Sequence, residues 1–255
     1  MIKNSVGYKM HKLSIVTVNW WGADWIQLSL KKLKENTIGE YEVIIVDNSG
    51  ELRQEDFEKN VKIVKSKVGL NHGQGLDEAI KAANGKYIMT LDADAHILLK
   101  DWDSSVINYL EKYDNVDLIA CQGGKFSPAR PCGMLFEKEF FTKNNMSFQI
   151  KECDGVMFDV GVHFYFKTLN VRKKEGNINN VSLFPGKKDP ITDYKNVLGS
   201  EHLWQGERFL YHNWFGSRWY GKDGPAGSRR FNKLGKVTWE EFVIIKNNLF
   251  KQANV

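Results

Sequence analysis

Several features that would quickly assign this chain to a class are scarce or missing. It has only three cysteines (Cys121, Cys132 and Cys153), an odd number without a CxxC pair, which indicates reduced, mostly buried thiols in an intracellular protein. No apolar run approaches the roughly 20 residues of a membrane span, and residues 1–12 lack the apolar core of a secretory signal. There is no internal repeat and no low-complexity segment. These absences predict a cytoplasmic protein without a transmembrane segment.

Two common nucleotide-binding motifs are also missing. The glycine-rich residues 69–75 read GLNHGQG, which matches neither the GxGxxG of dinucleotide-binding folds nor the GxxxxGK[ST] of a P-loop. A helix is predicted over residues 76–83, so backbone N–H groups of the preceding loop can face an anion. His72 can contact a phosphate or a sugar hydroxyl there. The alternative is that His72 only hydrogen-bonds its own loop.

The composition fits an ordinary globular protein with an anionic partner. The chain has 255 residues, 42% hydrophobic and 26% charged, enough for one large domain or two small ones. Its 8 Trp, 9 Tyr and 15 Phe include core residues and the kind of ring that lines small-molecule pockets. A formal net charge of +5 and a pI near 8.9 favour a nucleotide, a nucleic acid or a membrane surface as partner.

Strands and helices alternate regularly in the first half of the chain. This alternation predicts a doubly wound, mostly parallel α/β sheet, with strands over residues 13–20, 41–46, 61–64, 86–91 and 117–121 and helices beginning near Asp24, over 76–83 and over 101–113. After about residue 125 the predicted elements are a strand and turn over 130–141, a helix over 159–169, an aromatic, basic flap over 211–230 and a last helix after a Thr238-x-x-Glu241 capping box. No linker is evident, so residues 1–255 are predicted to form a single domain.

Two carboxylates follow the apolar strand KYIMTL, at Asp92 and Asp94. Ligands of open α/β sheets lie outside the carboxyl ends of the strands, and two acidic groups at the end of a buried strand need a neutralising partner. A hard divalent cation shared with substrate phosphates is such a partner. The alternative is a polar turn, because a DxD motif is short. Asp47 ends a parallel strand at the same edge, where it accepts a hydrogen bond from a base or ribose, or else only caps its turn.

The ordered set of motifs resembles glycosyltransferase family 2, inverting enzymes of the GT-A fold. The matching pieces are TVNW (17–20), VDNSG (46–50) and GLNHGQGLDEAIKAANGKYIMTLDAD (69–94). The resemblance covers roughly residues 12–125, which would form the donor half, with residues 126–255 as the acceptor half. It implies a GT-A fold, a nucleotide-diphosphate sugar as donor, a hydroxyl of a glycan, lipid-linked glycan or similar acceptor, and Mn²⁺ or Mg²⁺ as cofactor.

The same resemblance implies roles for individual residues. Asp47 would lie at the base of the nucleotide and Asp92 would face the ribose or the metal, while Asp94 would bind the metal directly. The other donor-site candidates are Thr17, Asn19, Asn71, His72, Gly73 and Arg218. In the segment YHNWFGSR (211–218), His212 matches a histidine that completes the metal site, and imidazole is a plausible third ligand. The alternative is a histidine that contacts only substrate.

The catalytic base implied by the resemblance is Asp159. Such a carboxylate takes the proton of the acceptor hydroxyl, a contribution typically worth ~10² to 10⁴ in rate, and one-step displacement predicts inversion at the anomeric carbon. This chain departs from the family pattern at Phe158, where an acidic residue is usual, and at Asn170, where glycine is usual. Asp154 is the alternative base.

Other functions remain open at this point. One alternative is a glycosyltransferase that acts on a modified base in DNA, which would explain the clustered basic residues. The plainer interpretation of these residues is a solvated rim or a patch for peripheral contact with anionic lipid. Salt-dependent retention on DNA distinguishes DNA binding from the plainer interpretation. Another alternative is a non-catalytic module that binds sugar nucleotides or glycans, and it is favoured by Phe158, which stands where the family usually has an acidic residue. A metal-dependent phosphohydrolase needs more metal ligands than the sequence offers. The basic clusters are Arg172 to Lys174, Lys187, Lys188, Arg229, Arg230, Lys233 and Lys236.

Overall fold

The chain folds into a mixed α/β structure. The computed structural model describes residues 13–66, 69–114, 116–122, 129–149, 152–153, 156–157, 160–161, 180–184, 199–213 and 239–252. In this part the strands are β1 Leu13–Asn19, β2 Tyr41–Asp47, β3 Val61–Lys65, β4 Tyr87–Leu91, β5 Ala95–Ile97, β6 Val116–Gln122, β7 Ala129–Glu137, β8 Glu152–Cys153, β9 Val156–Met157, β10 Asn180–Phe184, β11 Ser200–Trp204 and β12 Glu207–His212. The helices are α1 Ala23–Asn36, α2 His72–Ala82, α3 Trp102–Lys112, α4 Lys138–Lys143 and α5 Trp239–Gln252, with a 3₁₀ turn at Gln54–Asp56.

A mostly parallel sheet forms the centre of the described structure. Its seven described strands have the order β10-β6-β7-β4-β1-β2-β3. The pairs β1–β2, β1–β4, β2–β3 and β6–β10 are parallel, and β7 is antiparallel to both of its neighbours. The predicted α/β class with a mostly parallel central sheet is therefore confirmed. The parallel strands β1, β2 and β4 all end at one edge of the sheet, which is the edge where ligands of such sheets bind.

Alternation along β1 divides the core between the two faces of the sheet. Leu13 and Ile15 belong to one buried cluster, together with residues of α1 and α3, whereas Val16 and Val18 belong to a second one with residues of α2. This is the period-two pattern of a strand covered on both faces. The last helix packs on α1, where the rings of Trp25 and Phe250 meet edge to face at 5.1 Å.

A small antiparallel sheet lies beside the end of β4. Its described strands have the order β11-β12-β5. Strand β5 begins after a tight turn in which the Ala95 N–H donates to the Asp92 carbonyl at 2.9 Å, so the small sheet is attached directly to the predicted acidic motif. Tyr211 lies in β12 and is fully buried. The prediction of a flap beginning at residue 211 is therefore wrong for Tyr211 and His212, because pairing with β5 extends the strand through both residues.

Two helices begin elsewhere than the sequence suggested. Helix α2 begins at His72, not at residue 76, because a capping box closes its N-terminus: the Asn71 side chain accepts from the Gln74 N–H at 2.9 Å, and the Gln74 side chain accepts from the Asn71 N–H at 3.0 Å. Helix α1 has Gly22 rather than Asp24 at its N-cap. Asp24 lies in the first turn, where its carboxylate pairs with Lys246 of α5.

The remaining sequence predictions fall partly outside the described residues. Strand β7 is followed by the short helix α4 rather than a simple turn. The predicted helix over 159–169 and Thr238 of the predicted capping box lie outside the described residues. In the part of the chain that the structure describes, none of the helices has the length and apolar character needed to cross a bilayer.

Candidate functional site

The acidic motif lies where the central sheet meets the small sheet. Strand β4 is buried along its whole length and ends at Leu91, so Asp92 is the first residue beyond its carboxyl end. Asp94 is two residues further on and is only 5% exposed. A carboxylate at this depth requires a positive partner or several hydrogen bonds to remain charged.

Strand pairing brings His212 to this motif from a distant part of the sequence. In the register of β5 and β12, His212 is opposite Ala95 and Tyr211 is opposite His96. The pairing continues one residue further, since the Asn213 N–H donates to the Asp94 carbonyl at 2.9 Å. The backbone of residues 212–213 is thus fixed beside Asp94 by the sheet.

The three side chains form a compact group of potential metal ligands. The His212 Nε2 lies 3.4 Å from the Asp92 Oδ2 and 3.4 Å from the Asp94 Oδ1. One ligand atom from each residue lies within 4.8 Å of the other two. The structure thus brings Asp92, Asp94 and His212 together, and two carboxylates with one imidazole are a suitable ligand set for Mn²⁺ or Mg²⁺.

His72 approaches the same group from α2. Its Nε2 lies 3.3 Å from the Asp92 Oδ1, and its side chain is 37% exposed. His72 is the first residue of α2, so the positive end of that helix is also directed at this region. His72 therefore contacts the acidic motif and is not confined to its own loop, while Asn71 serves as the N-cap of α2.

The protonation of His212 reflects its acidic surroundings. Burial lowers the pKa of His212, whereas the Asp94 carboxylate, 3.4 Å from its Nε2, raises it, and the resulting pKa lies above its ordinary value. An imidazolium here balances the two carboxylates when no cation is bound, and a cation must displace its proton. By contrast, burial and the nearby Lys32 and Arg208 lower the pKa of His96 to about 3, so His96 is neutral.

This ligand set passes a simple test of fit for a divalent cation. The Asp92 Oδ1 is a buried oxygen that accepts no hydrogen bond, although the His72 Nε2 lies 3.3 Å from it. Unsatisfied buried oxygens are unusual and call for a ligand or ion. The residues present therefore suit a divalent metal.

Asp47 and Asn19 form a closed network at the end of β1 and β2. The Asp47 Oδ1 accepts from the backbone N–H groups of Ser49 and Gly50 at 3.2 and 3.1 Å, and the Oδ2 accepts from the Leu52 N–H at 3.0 Å. The Asn19 Nδ2 is 3.1 Å from the Asp47 Oδ1. Both residues are almost fully buried. Asp47 thus caps its own turn, which is the plainer of the two roles that its sequence position suggested.

The other donor-site candidates have distinct environments. Thr17 lies inside β1, and its buried hydroxyl has no hydrogen-bond partner. A Cβ on Gly73 would lie 2.1 Å from the Phe148 carbonyl oxygen, so this glycine permits residues 146–149 to cross closely over α2. The Asp77 carboxylate fixes that crossing by accepting from the Phe148 N–H at 2.8 Å. Close packing against the backbone of Phe148 therefore explains why residue 73 is a glycine.

Asp159, its alternative Asp154, and Arg218 lie outside the described residues. The same is true of the basic clusters over 172–174, 187–188 and 229–236.

A second group of ligand-type side chains was missed by the sequence analysis. Cys121, Cys132 and His202 lie together in the core next to His212. A hydrogen bond to Cys121 and burial raise the pKa of Cys132 far above its ordinary value, so this thiol is neutral in the metal-free protein. The spacing of the three residues in sequence gives no signal, because three separate strands bring them together.

Comparison with known proteins identifies the family. The model of glycosyl transferase family 2 matches residues 14–173. An uncharacterized glycosyltransferase of Haemophilus influenzae is 26% identical over 111 residues, which cover 41% of this chain and 34% of that protein. The chain thus spans only about a third of the length of this curated relative.

Two solved structures share the fold at low sequence identity. A mannosyltransferase of Pyrobaculum calidifontis, in complex with GDP-Man and Mn²⁺, is 15% identical with a TM-score of 0.54, over 70% of this chain and 55% of that one. Residues 1–349 of TarS from S. aureus are 14% identical with a TM-score of 0.53, over 95% of this chain and 81% of that one. These similarities show a GT-A fold. Because the family model matches well over half of the sequence, this chain belongs to glycosyl transferase family 2.

Proposed function

We propose that this chain is a metal-dependent, inverting glycosyltransferase that moves a sugar from a nucleotide-diphosphate donor to an acceptor hydroxyl. The observation that carries the proposal is the convergence of Asp92, Asp94 and His212 at the carboxyl edge of the sheet, in a chain of this family. The acceptor is a glycan, a lipid-linked glycan or a similar hydroxylated molecule. Residues 12–125 would bind the donor, residues 126–255 would bind the acceptor, and the enzyme would act in the cytoplasm, with or without peripheral contact with a membrane.

Asp92, Asp94 and His212 would hold the cofactor, Mn²⁺ or Mg²⁺. When bound, such an ion offsets the negative charge that gathers on the departing nucleoside diphosphate. Asp94 is the best-buried of the three ligands, and the N–H of Asn213, the residue after β12, fixes its backbone. Asp94 is therefore assigned as the direct ligand, and Asp92 as the ligand nearest to the ribose.

His72 and the first turn of α2 would bind the donor phosphates. The His72 Nε2 is already directed at Asp92, and the ring is partly exposed, so it can donate to a phosphate oxygen beside the metal. The first N–H groups of the helix, around Gly73, add a favourable field for an anion, and Asn71 holds that turn through its capping box. Arg218 would add a charged donor to the same phosphates.

Asp47, Asn19 and Thr17 would form the nucleotide pocket. Because the Asp47 oxygens are already occupied by N–H groups of its own turn, we propose that Asp47 acts mainly by holding residues 48–52 in place around the base. Asn19 ties this turn to β1. Thr17 has a hydroxyl without a partner and is the polar group of β1 that remains able to accept or donate.

Asp159 would act as the general base. A carboxylate that receives the proton of the acceptor hydroxyl activates that oxygen for attack on the anomeric carbon, while the diphosphate leaves from the opposite side. This single displacement inverts the anomeric configuration. Asp154 remains the alternative base.

A nucleotide panel tests the donor site directly. UDP, GDP, dTDP, CDP and ADP are each added to the protein with Mn²⁺ or with EDTA, and the melting temperature is recorded. At a ligand concentration about 100 times its Kd, a ligand that binds only the folded state stabilises it by about 2.7 kcal/mol. GDP and Mn²⁺ deserve priority, because the mannosyltransferase of similar fold was solved with GDP-Man and Mn²⁺.

We expect one nucleotide to raise the melting temperature only in the presence of metal. The corresponding sugar nucleotide is then offered with candidate acceptors, and the configuration of the product is read by NMR. Absence of any shift across the panel would contradict the donor-site assignment. Binding without sugar transfer to any acceptor or to water would instead indicate a binding module.

A further inference from the structure

A buried cluster of two thiols and one imidazole lies close to the proposed donor site. Cys121 comes from the end of β6, Cys132 from β7 and His202 from β11. One ligand atom from each lies within 4.8 Å of the other two. The cluster joins the central sheet, which contributes both cysteines, to the small sheet, which contributes the histidine.

The cluster is secluded from solvent. Cys121, Cys132 and His202 are 0%, 1% and 2% exposed, respectively. Neither Cys121 nor Cys132 forms a disulfide. Buried thiols alone pack as small apolar groups, but a buried imidazole beside them, with an unpartnered ring nitrogen, requires an explanation beyond packing.

The backbone leaves room for the sulfur of Cys121. A Cβ on Gly133 would lie 2.7 Å from the Cys121 Sγ and 3.0 Å from the Leu210 Cδ1. Strand β7 is also irregular here, since its pairing with β6 changes register after Ala120. This irregularity places Cys132 next to Cys121, although the register pairs Cys121 with Arg130.

His202 has the environment of a metal ligand. Its Nε2 is 3.2 Å from the Ser200 Oγ, while its Nδ1 is buried and has no hydrogen-bond partner. Metal-bound histidines commonly use one ring nitrogen for the ion and place the other against a hydrogen-bond partner, which fixes the orientation of the ring. A buried ring nitrogen without a partner is otherwise costly.

We propose that Cys121, Cys132 and His202 bind a zinc ion through three of its four tetrahedral positions, with one water molecule in the fourth. Two thiolates and one imidazole are soft and borderline donors that select Zn²⁺ over Mn²⁺ or Mg²⁺, whereas the oxygen-rich group at Asp92 and Asp94 has the opposite preference. The zinc would pin β11, and through it β12 and His212, to the central sheet. This site is distinct from the proposed donor site and does not depend on the proposed function.

Metal content and cobalt spectroscopy test the proposal. The protein is produced in zinc-supplemented medium, desalted and analysed by inductively coupled plasma mass spectrometry. We expect about one zinc ion per chain. Replacement of zinc by Co²⁺ should give the near-ultraviolet band of thiolate-to-cobalt charge transfer together with the intense visible bands of a tetrahedral site. Both readouts use the wild-type chain, so they do not depend on whether a variant folds.

Two variants locate the ion. Cys132→Ser and His202→Gln should each lose the zinc, and Cys132→Ser should weaken the charge-transfer band of any residual cobalt. Asp94→Asn is the matched control, because it alters the neighbouring oxygen-rich group and should keep the zinc and the cobalt spectrum. Wild-type protein without zinc and without a charge-transfer band would overturn the proposal and leave the cluster as neutral thiols. Zinc retained by a folded Cys132→Ser variant would overturn it as well.

Discussion

Replacing Asp94 by alanine is expected to abolish the metal-dependent binding of nucleoside diphosphates. The carboxylate is 5% exposed and lies 3.4 Å from the His212 Nε2, and its removal leaves only Asp92 and His212 of the three proposed ligands. Loss of an outer residue that merely orients a ligand costs about 10- to 100-fold in metal affinity, and loss of a ligand itself should cost at least about 100-fold. Calorimetric titration of Mn²⁺ in the presence of the nucleotide identified by the panel measures the effect.

The fold should survive this substitution. The contacts that connect Asp94 to β12 use its backbone, since the Asn213 N–H donates to the Asp94 carbonyl, and alanine preserves them. Asp114→Ala is a suitable control, because this exposed carboxylate follows α3 and is not part of the group around His212. Unchanged Mn²⁺ affinity in Asp94→Ala, with an unchanged melting temperature, would remove Asp94 from the metal site.

Replacing Asp159 by asparagine is expected to remove sugar transfer and leave donor binding intact. The amide keeps the size of the side chain but cannot take the proton from the hydroxyl of the sugar acceptor. General-base catalysis of this kind is worth ~10² to 10⁴ in rate. The nucleotide Kd should remain within about a factor of two of the wild-type value, because the general base acts on the acceptor and not on the donor. Single-turnover transfer and calorimetry separate the two effects.

Asp154→Asn is the matched comparison for Asp159. It carries the same chemical change five positions earlier in the sequence, at the alternative base. Full activity in Asp159→Asn together with a large loss in Asp154→Asn would reassign the base. Weaker nucleotide binding in Asp159→Asn would point to a role in donor binding.

The donor half of the fold could be predicted because its signals are local. The strands β1, β2 and β4 are mostly apolar runs, such as YEVIIV and KYIMTL, and helices lie between them, which is the pattern of a sheet covered on both faces. The position of Asp92 and Asp94 just beyond β4 could be predicted from the end of the apolar run KYIMTL. The start of α2 was missed because the glycines of residues 69–75 suggested a loop. In the structure Gly73 and Gly75 instead allow the helix to lie close to Phe148 and Val18.

The rest of the site depends on contacts between distant parts of the chain. His212 was named through family resemblance, but its approach to Asp94 is a consequence of the register of β5 and β12, which sequence spacing does not contain. The cluster of Cys121, Cys132 and His202 similarly arises from an irregular pairing of β6 and β7. Asp47 had two interpretations of similar merit, and only its bonds to the N–H groups of residues 49–52 show that it caps its turn.

We propose that Asp92, Asp94 and His212 hold one divalent cation together with a donor diphosphate. Diffraction from crystals grown with Mn²⁺ and the nucleotide chosen by the panel, recorded at the manganese absorption edge, tests it most directly. We predict an anomalous peak within coordination distance of an Asp94 oxygen and the His212 Nε2, with the diphosphate on its open side. A nucleotide bound elsewhere, or bound at this edge of the sheet without any manganese peak near Asp94, would contradict the claim.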